Sequence, residues 1–156
     1  MDSALIDFLK KDYPAHFGQE WKEGTMQVRR EQQPKGKFEI RDGQSQIIQY
    51  PGRGVSVINN NSGIDVEINI FHNTDAGVGR KCDFIINPIA GYDFIIFNEL
   101  TASEKQYIMP FTSPKTGEAK EGKLAYAKKQ LESSIEKFYN VNNFLDQYKK
   151  RVALFS

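Results

Sequence analysis

The chain has 156 residues, with 21 Lys and Arg against 20 Asp and Glu and a single Cys. Its length suits one domain able to bury a sizeable core, and a composition 39% hydrophobic and 12% aromatic excludes collagen-like, disulfide-rich and wholly disordered classes. A formal charge of +1 gives no global signature of nucleic-acid binding, and no apolar run approaches the roughly 18–20 residues that cross a bilayer.

The opening residues carry neither an apolar signal core nor a small-residue cleavage site. Cys82 alone excludes an internal disulfide, which fits a reducing, cytoplasmic compartment. Ala4, Leu5, Phe8 and Leu9 recur at helical spacing. They predict a helix over residues 2–12 that ends before Pro14. Residues 18–36 hold Gly18, Gly24, Pro34 and Gly36 among polar residues, poor material for helix or strand, with Trp21 and Met26 tucked against the core.

From Lys37 the period changes to two. Phe38 and Ile40 alternate with charge, then Ile47, Ile48 and Tyr50 follow, and then Val55, Val57 and Ile58. Asn59, Asn60, Asn61 and Gly63 supply turn chemistry. Ile64, Val66, Ile68 and Ile70 then alternate strictly, so the two runs predict a β-hairpin. Residues 73–80 form a loop. Two near-continuous apolar runs come next, residues 82–86 and 94–100, separated by a short turn around Ala90. Runs of this kind predict central strands covered on both faces.

The cover is expected downstream, after a Pro-rich loop at 110–118. Leu124, Ala127, Leu131, Ile135 and Phe138 mark a long amphipathic helix over roughly 119–139. A helical turn within 144–150 and a strand at 151–155 complete the chain. An apolar strand at the last residues leads us to expect a fragment of a longer chain. The predicted architecture is α/β: a central mixed sheet of four or five strands with the long helix packed on it. The whole forms a single domain over 1–156, with a helix and irregular segment at 1–36 and the sheet-and-helix core at 37–156.

Two acidic residues break the apolar pattern. Asp83 and Glu99 interrupt the strongest strand runs, where carboxylates are depleted and costly to bury. Local rule-breaking of this kind marks functional sites. In an antiparallel hairpin turning near Ala90, a register sum near 180 pairs Asp83 with Phe97 and makes Glu99 its diagonal neighbour. A sum of 182 sets the two acids directly opposite, and any even sum places both on one face, with Thr101 beside them. Two converging carboxylates suit one hard divalent cation, which takes one or two carboxylates plus waters and phosphates. The plain alternative is ion pairing, of Asp83 with Arg80, Lys81 or Lys105 and of Glu99 with a lysine of the long helix.

The run Lys81, Cys82, Asp83, a short turn, then Tyr92 through Asn98, Glu99, Leu100 and Thr101 resembles the core of the PD-(D/E)xK nucleases, the restriction-endonuclease-like fold. In that family an Asp begins one strand, Glu-x-Lys ends the next, and an amphipathic helix and a further strand follow. The residues from Leu124 to Phe138 and from Arg151 to Phe155 look like those two elements. The resemblance implies metal-dependent phosphodiester hydrolysis, or binding, of DNA or RNA. It makes Asp83 and Glu99 the ligands of a Mg or Mn ion. The family lysine falls on Thr101, and a hydroxyl cannot replace a cation; losing one such donor costs about 10²–10³ in rate. Lys105, one helical turn beyond, and Lys128 on the long helix are candidate replacements that the sequence does not choose between, and Thr101 and Lys105 join the two acids as catalytic candidates. Lys81, Lys128 and Gln130 are the candidates for contacts to nucleic acid. Glu20 and Glu31 are possible equivalents of an acidic residue that some members carry on the first helix.

Other signals are weaker. His16 and His72 have no Cys or His partners nearby, so a zinc site is not expected. Cys82 reads as a small core filler. The segment from Gly77 to Arg80 lacks the spacing of a phosphate loop. Basic residues gather at Arg29, Arg30, Lys35, Lys37 and Arg41 and again within 117–156, either to meet phosphates or as a solvated face. Two alternatives stand beside the nuclease reading: an inactive module of the same fold that binds nucleic acid or protein, and an unrelated α/β interaction domain with a structural acidic pair.

Overall fold

The computed structural model describes residues 2–18, 20, 27–29, 36–41, 47–48, 55–61, 63–70, 82–101 and 103–156. Trp21, Met26, Arg30, Glu31, Lys35, Arg80 and Lys81 lie outside them.

The chain begins with one helical run in three parts, α1 (Ala4–Asp7), a π turn (Phe8–Asp12) and α2 (Tyr13–His16). Ser3 caps it by accepting from the Ile6 N–H at 3.2 Å, as serine does at helix starts. The run passes through Pro14 instead of stopping before it. Proline's ring ordinarily collides with the carbonyl four residues back. The wider π turn just upstream, in which Tyr13 N–H reaches the Phe8 carbonyl, relieves that collision.

Five strands form the main sheet. They are β1 (Gln27–Arg29), β5 (Val66–Ile70), β6 (Phe84–Pro88), β7 (Phe94–Glu99) and β10 (Lys150–Phe155), in the spatial order β1-β5-β6-β7-β10. Neighbours are antiparallel except β7 and β10, which run parallel. The sheet is therefore mixed, as expected. A parallel pair needs a long crossover, and α3 (Lys123–Asn140) supplies it. This helix starts four residues later than the periodicity indicates, because Ala119–Lys120 are taken by a short strand, β9, that pairs with β8 (Phe111–Thr112). The 3-10 turn Phe144–Gln147 then leads into β10. A strand at Gln27–Arg29 was not anticipated from its Gly- and Pro-flanked sequence; it exists through pairing with β5, a tertiary partner that local propensity does not contain.

A second sheet holds β2 (Gly36–Arg41), β3 (Ile47–Ile48) and β4 (Val55–Asn60), in the order β3-β2-β4. Here the expected hairpin is corrected. β4 pairs with β2, Phe38 opposite Ile58, whereas β5 pairs with β6. The Asn-rich segment is a corner between two sheets. Asn60 donates its side-chain amide to the Ile64 carbonyl at 2.9 Å, and Gly63 takes a left-handed φ of 71°, open to glycine without steric cost.

Alternation along the strands explains why both faces of the main sheet are buried. Ile85, Ile95 and Phe97 face the helices and join Leu5, Phe8, Leu9, Leu131, Phe138, Phe144 and Leu145 in one cluster. Phe8 stacks on Phe144 with centroids 3.9 Å apart, and Phe138 meets Phe8 and Phe97 edge-on at 5.3 and 5.5 Å. Each such pair adds about 0.5–1.5 kcal/mol beyond its buried area. Val66, Ile68, Phe84 and Ile86 face the other way and pack on Phe38 and Ile40 of the second sheet. The cover of the second face is thus a β layer, with both helices on the first. No described helix is long and apolar enough to cross a membrane.

The helix-facing side also buries polar residues. Glu67, Asn69 and Asn87 are fully buried. Asn87 donates to Glu67 Oε1 at 2.9 Å, Asn69 donates to Asn87 Oδ1 at 2.8 Å, and the Ser3 hydroxyl donates to the same Glu67 oxygen. Ser3 therefore caps α1 and pins it to the sheet with one side chain, in the way buried polar groups are kept satisfied.

Candidate functional site

The hairpin register places the two acids. Phe84 lies opposite Asn98, Ile85 opposite Phe97 and Ile86 opposite Ile96. Continued by one residue, the same register sets Asp83 opposite Glu99, on the helix-facing side with Ile85 and Phe97. Of the alternatives open in the sequence, the observed pairs follow the register sum of 182, the one that opposes the two acids.

Each acid is fixed by a named contact. Asp83, half-buried, accepts the Leu100 backbone N–H on Oδ2 at 2.9 Å, which ties the start of β6 to the end of β7. Glu99 is 5% exposed, and its Oε1 accepts from Gln130 Nε2 of α3 at 2.5 Å. Gln130, expected to touch nucleic acid, thus has its amide engaged with a carboxylate. The backbone around Glu99 is held by the end of β10, where Ser156 N–H donates to the Glu99 carbonyl at 2.9 Å and Thr101 N–H donates to Ser156 O at 2.8 Å.

Cys82 sits beneath the pair. It is buried, and its backbone N–H donates to Ser134 Oγ of α3 at 2.8 Å. Burial, with the negative fields of Glu99 and Asp83, pushes its thiol up to about 12. A thiol in that state is inert at neutral pH. The filler role expected from the sequence fits this setting.

Beside Glu99 a cleft of about 270 Å³ opens between the end of β7, the first turns of α3 and the end of β10, and Asp83 is not among its described lining residues. Glu99, Thr101, Ser103, Lys123, Tyr126 and Phe155 line it. Thr101 lies on this wall as expected, and its Oγ1 accepts the Ser103 N–H at 3.1 Å, a local turn contact of the kind threonine makes after strands.

The expected cations fall elsewhere. Lys105 is exposed in the 3-10 turn Lys105–Tyr107. Lys128 is exposed on α3 and pairs with Glu132 at 3.6 Å; one face of a helix cannot carry both this solvent pair and the cleft wall. Lys81, Arg80 and Glu31 lie outside the described residues, and Glu20 is exposed. Lys123 is the cation that sequence reasoning passed over, and among the described lining residues it is the one positive side chain. It stands three residues before Tyr126, a spacing that puts both on one helix face; the missed signal was that shared face. The C-terminal basic residues are largely paired, Lys120 with Glu118, Lys129 with Glu121, Lys149 with Asp93 and Arg151 with Asp146. That pattern matches a solvated charged surface.

Among the described residues no group of three or more His, Cys, Asp or Glu is placed to hold a metal ion. Asp83 and Glu99 are cross-strand neighbours by register, and no third acid joins them among the described residues. Such a pair matches the sparse donor set of magnesium, which retains waters and phosphate oxygens in its shell. No family model, curated protein or solved structure matches the chain.

Proposed function

We propose that the chain is a divergent nuclease-like domain of the PD-(D/E)xK superfamily with a restriction-endonuclease-like core. It acts on, or binds, the phosphodiester backbone of DNA or RNA in a cytoplasmic setting. The observation that carries this reading is the strand register, which, continued by one residue, sets Asp83 opposite Glu99, itself a lining residue of the cleft. The chain order supports it as well: an Asp before one strand, a Glu ending the next, then the α3 helix and the β10 strand. Asp83 and Glu99 would hold a Mg or Mn ion. When bound, the ion supplies Lewis acidity and an activated water. The protein's own part is orientation: Leu100 N–H and the Gln130 amide each hold one acid by a named oxygen.

The inactive-module reading draws on a specific observation too. Thr101 stands where the family has lysine, and its hydroxyl is engaged by the Ser103 N–H. Incubating the protein with labelled single- and double-stranded oligonucleotides and Mn or Mg separates the two readings. Manganese-dependent cleavage by wild type, abolished in Asp83→Ala and Asp83→Asn variants that keep the wild-type circular dichroism, is the expected result. Cleavage retained in the variants refutes the assignment, and manganese binding without cleavage supports the inactive module.

A further inference from the structure

The mouth of the cleft has features that the acid pair does not require. Tyr126 lines it and is 47% exposed, which leaves its ring open to the cleft mouth. Lys123 lines the same cleft one turn earlier. Five neighbouring basic residues, Lys120, Lys128, Lys129, Lys149 and Arg151, are each committed to an acidic partner. Lys123 makes no ion pair among the described residues. A cation and an aromatic face, side by side on one helix and sharing a cleft with Glu99, form the minimal recognition set for a nucleotide.

The size of the cleft narrows the substrate. About 270 Å³ lies at the lower edge of the range for small-molecule sites, room for one unit of a polymer. A base within a duplex has both π-faces covered by its neighbours, so a stacking ring can engage only an unpaired base. Resting on the nuclease reading above, we infer that this site takes a single-stranded or frayed nucleic acid. Tyr126 stacks one unpaired base, and Lys123 neutralises the adjoining phosphate. Lys123 is thereby a substrate-contacting cation on the wall that also carries Thr101.

Fluorescence anisotropy of the full chain tests this, in EDTA so that no strand is cut. The probes are a short labelled oligothymidylate, the matching oligouridylate and a blunt duplex of equal length. Either single strand binds at least tenfold tighter than the duplex, and the ratio between thymidylate and uridylate tells which polymer is preferred. Tyr126→Ala weakens single-strand binding by about 5- to 100-fold, and Tyr126→Phe restores it. Lys123→Gln weakens binding and lowers the slope of log affinity against log salt by about 0.7. Leu124→Ala, exposed and beside the site, leaves binding unchanged. Equal binding of duplex and single strand, or a Tyr126→Ala variant within twofold of wild type, overturns the inference and leaves the nuclease reading standing. Absence of binding to all three probes, also with calcium added, removes the nuclease reading itself.

Discussion

Replacing Gln130 by Leu removes the amide that donates to Glu99 Oε1 and leaves the volume of the residue nearly unchanged. Glu99 is 5% exposed, so bulk water does not substitute freely for the lost amide. A hydrogen bond to a charged group contributes about 1.5–3 kcal/mol, and an orphaned buried acceptor costs as much. Extra apolar burial by the leucine offsets part of this, about 0.5–1 kcal/mol. The net loss is therefore about 1–2 kcal/mol, which for a chain of this size lowers the melting temperature by roughly 2–8 °C. Urea denaturation of Gln130→Leu, Glu99→Leu and the double variant measures the coupling directly. The double variant, with both partners apolar, is expected to be more stable than Gln130→Leu alone, because it buries no carboxylate that has lost this amide. In the same protein, manganese affinity falls by about 10- to 100-fold in Gln130→Leu, the usual effect of losing a partner that orients a ligand. A coupling energy below about 0.5 kcal/mol, with unchanged manganese binding, would refute the argument that Gln130 orients Glu99.

Three further outcomes follow from local physics. Gly122 sits at φ 87°, ψ 166°, a region open essentially to glycine alone, and a Cβ there would come within 2.5 Å of the Met109 backbone; Gly122→Ala is expected to cost about 3 kcal/mol or more, read as a lowered thermal midpoint, and a midpoint within 1–2 °C of wild type would contradict it. Cys82, its thiol pushed from 9.0 to about 12, holds roughly a thousandfold less thiolate at pH 8 than an ordinary cysteine, so native protein should react with a disulfide reagent only as fast as it unfolds. The same shift makes the unfolded chain lose its proton first, so stability falls as pH rises from about 9 towards 12, by up to about 1.4 kcal/mol per unit; rapid labelling of native protein at pH 8 would contradict the burial.

Much of the central sheet was legible because its signal is local. The runs at 82–86 and 94–100 and the periodic apolar residues from Leu124 to Phe138 locate β6, β7 and α3, and parity arithmetic leaves few ways for Asp83 and Glu99 to meet. The errors share a cause. β4 and β5 look like a hairpin because they are adjacent and alternating, yet β4 pairs with β2 and β5 with β6, and their apolar faces meet between the two sheets in one core with Phe38 and Ile40. Glu67 and Asn69 occupy the polar phase of a strict alternation, the pattern of a solvated face. They are buried because α1 arrives from more than sixty residues away to cover them, bringing Ser3. Gln130's engagement with Glu99 was hidden for the same reason: nothing in a helical wheel shows which strand end it will overhang. Lys105 and Lys128 were weighed as replacements for a missing lysine by their places along the chain and on the helix, and Lys123 was passed over because its place in the cleft with Glu99 exists only after the crossover is made.

The crossover also dictates when the site can come into being. Asp83 and Glu99 are close in sequence and can meet as soon as their hairpin forms, but the Glu99–Gln130 contact spans 31 residues and the brace on the Glu99 carbonyl comes from Ser156. Contacts of that separation close late in folding, since loop closure must precede the reward. A chain still emerging from the ribosome therefore holds both carboxylates long before it can aim one of them. Any activity that needs them aimed is withheld until synthesis has passed the last strand.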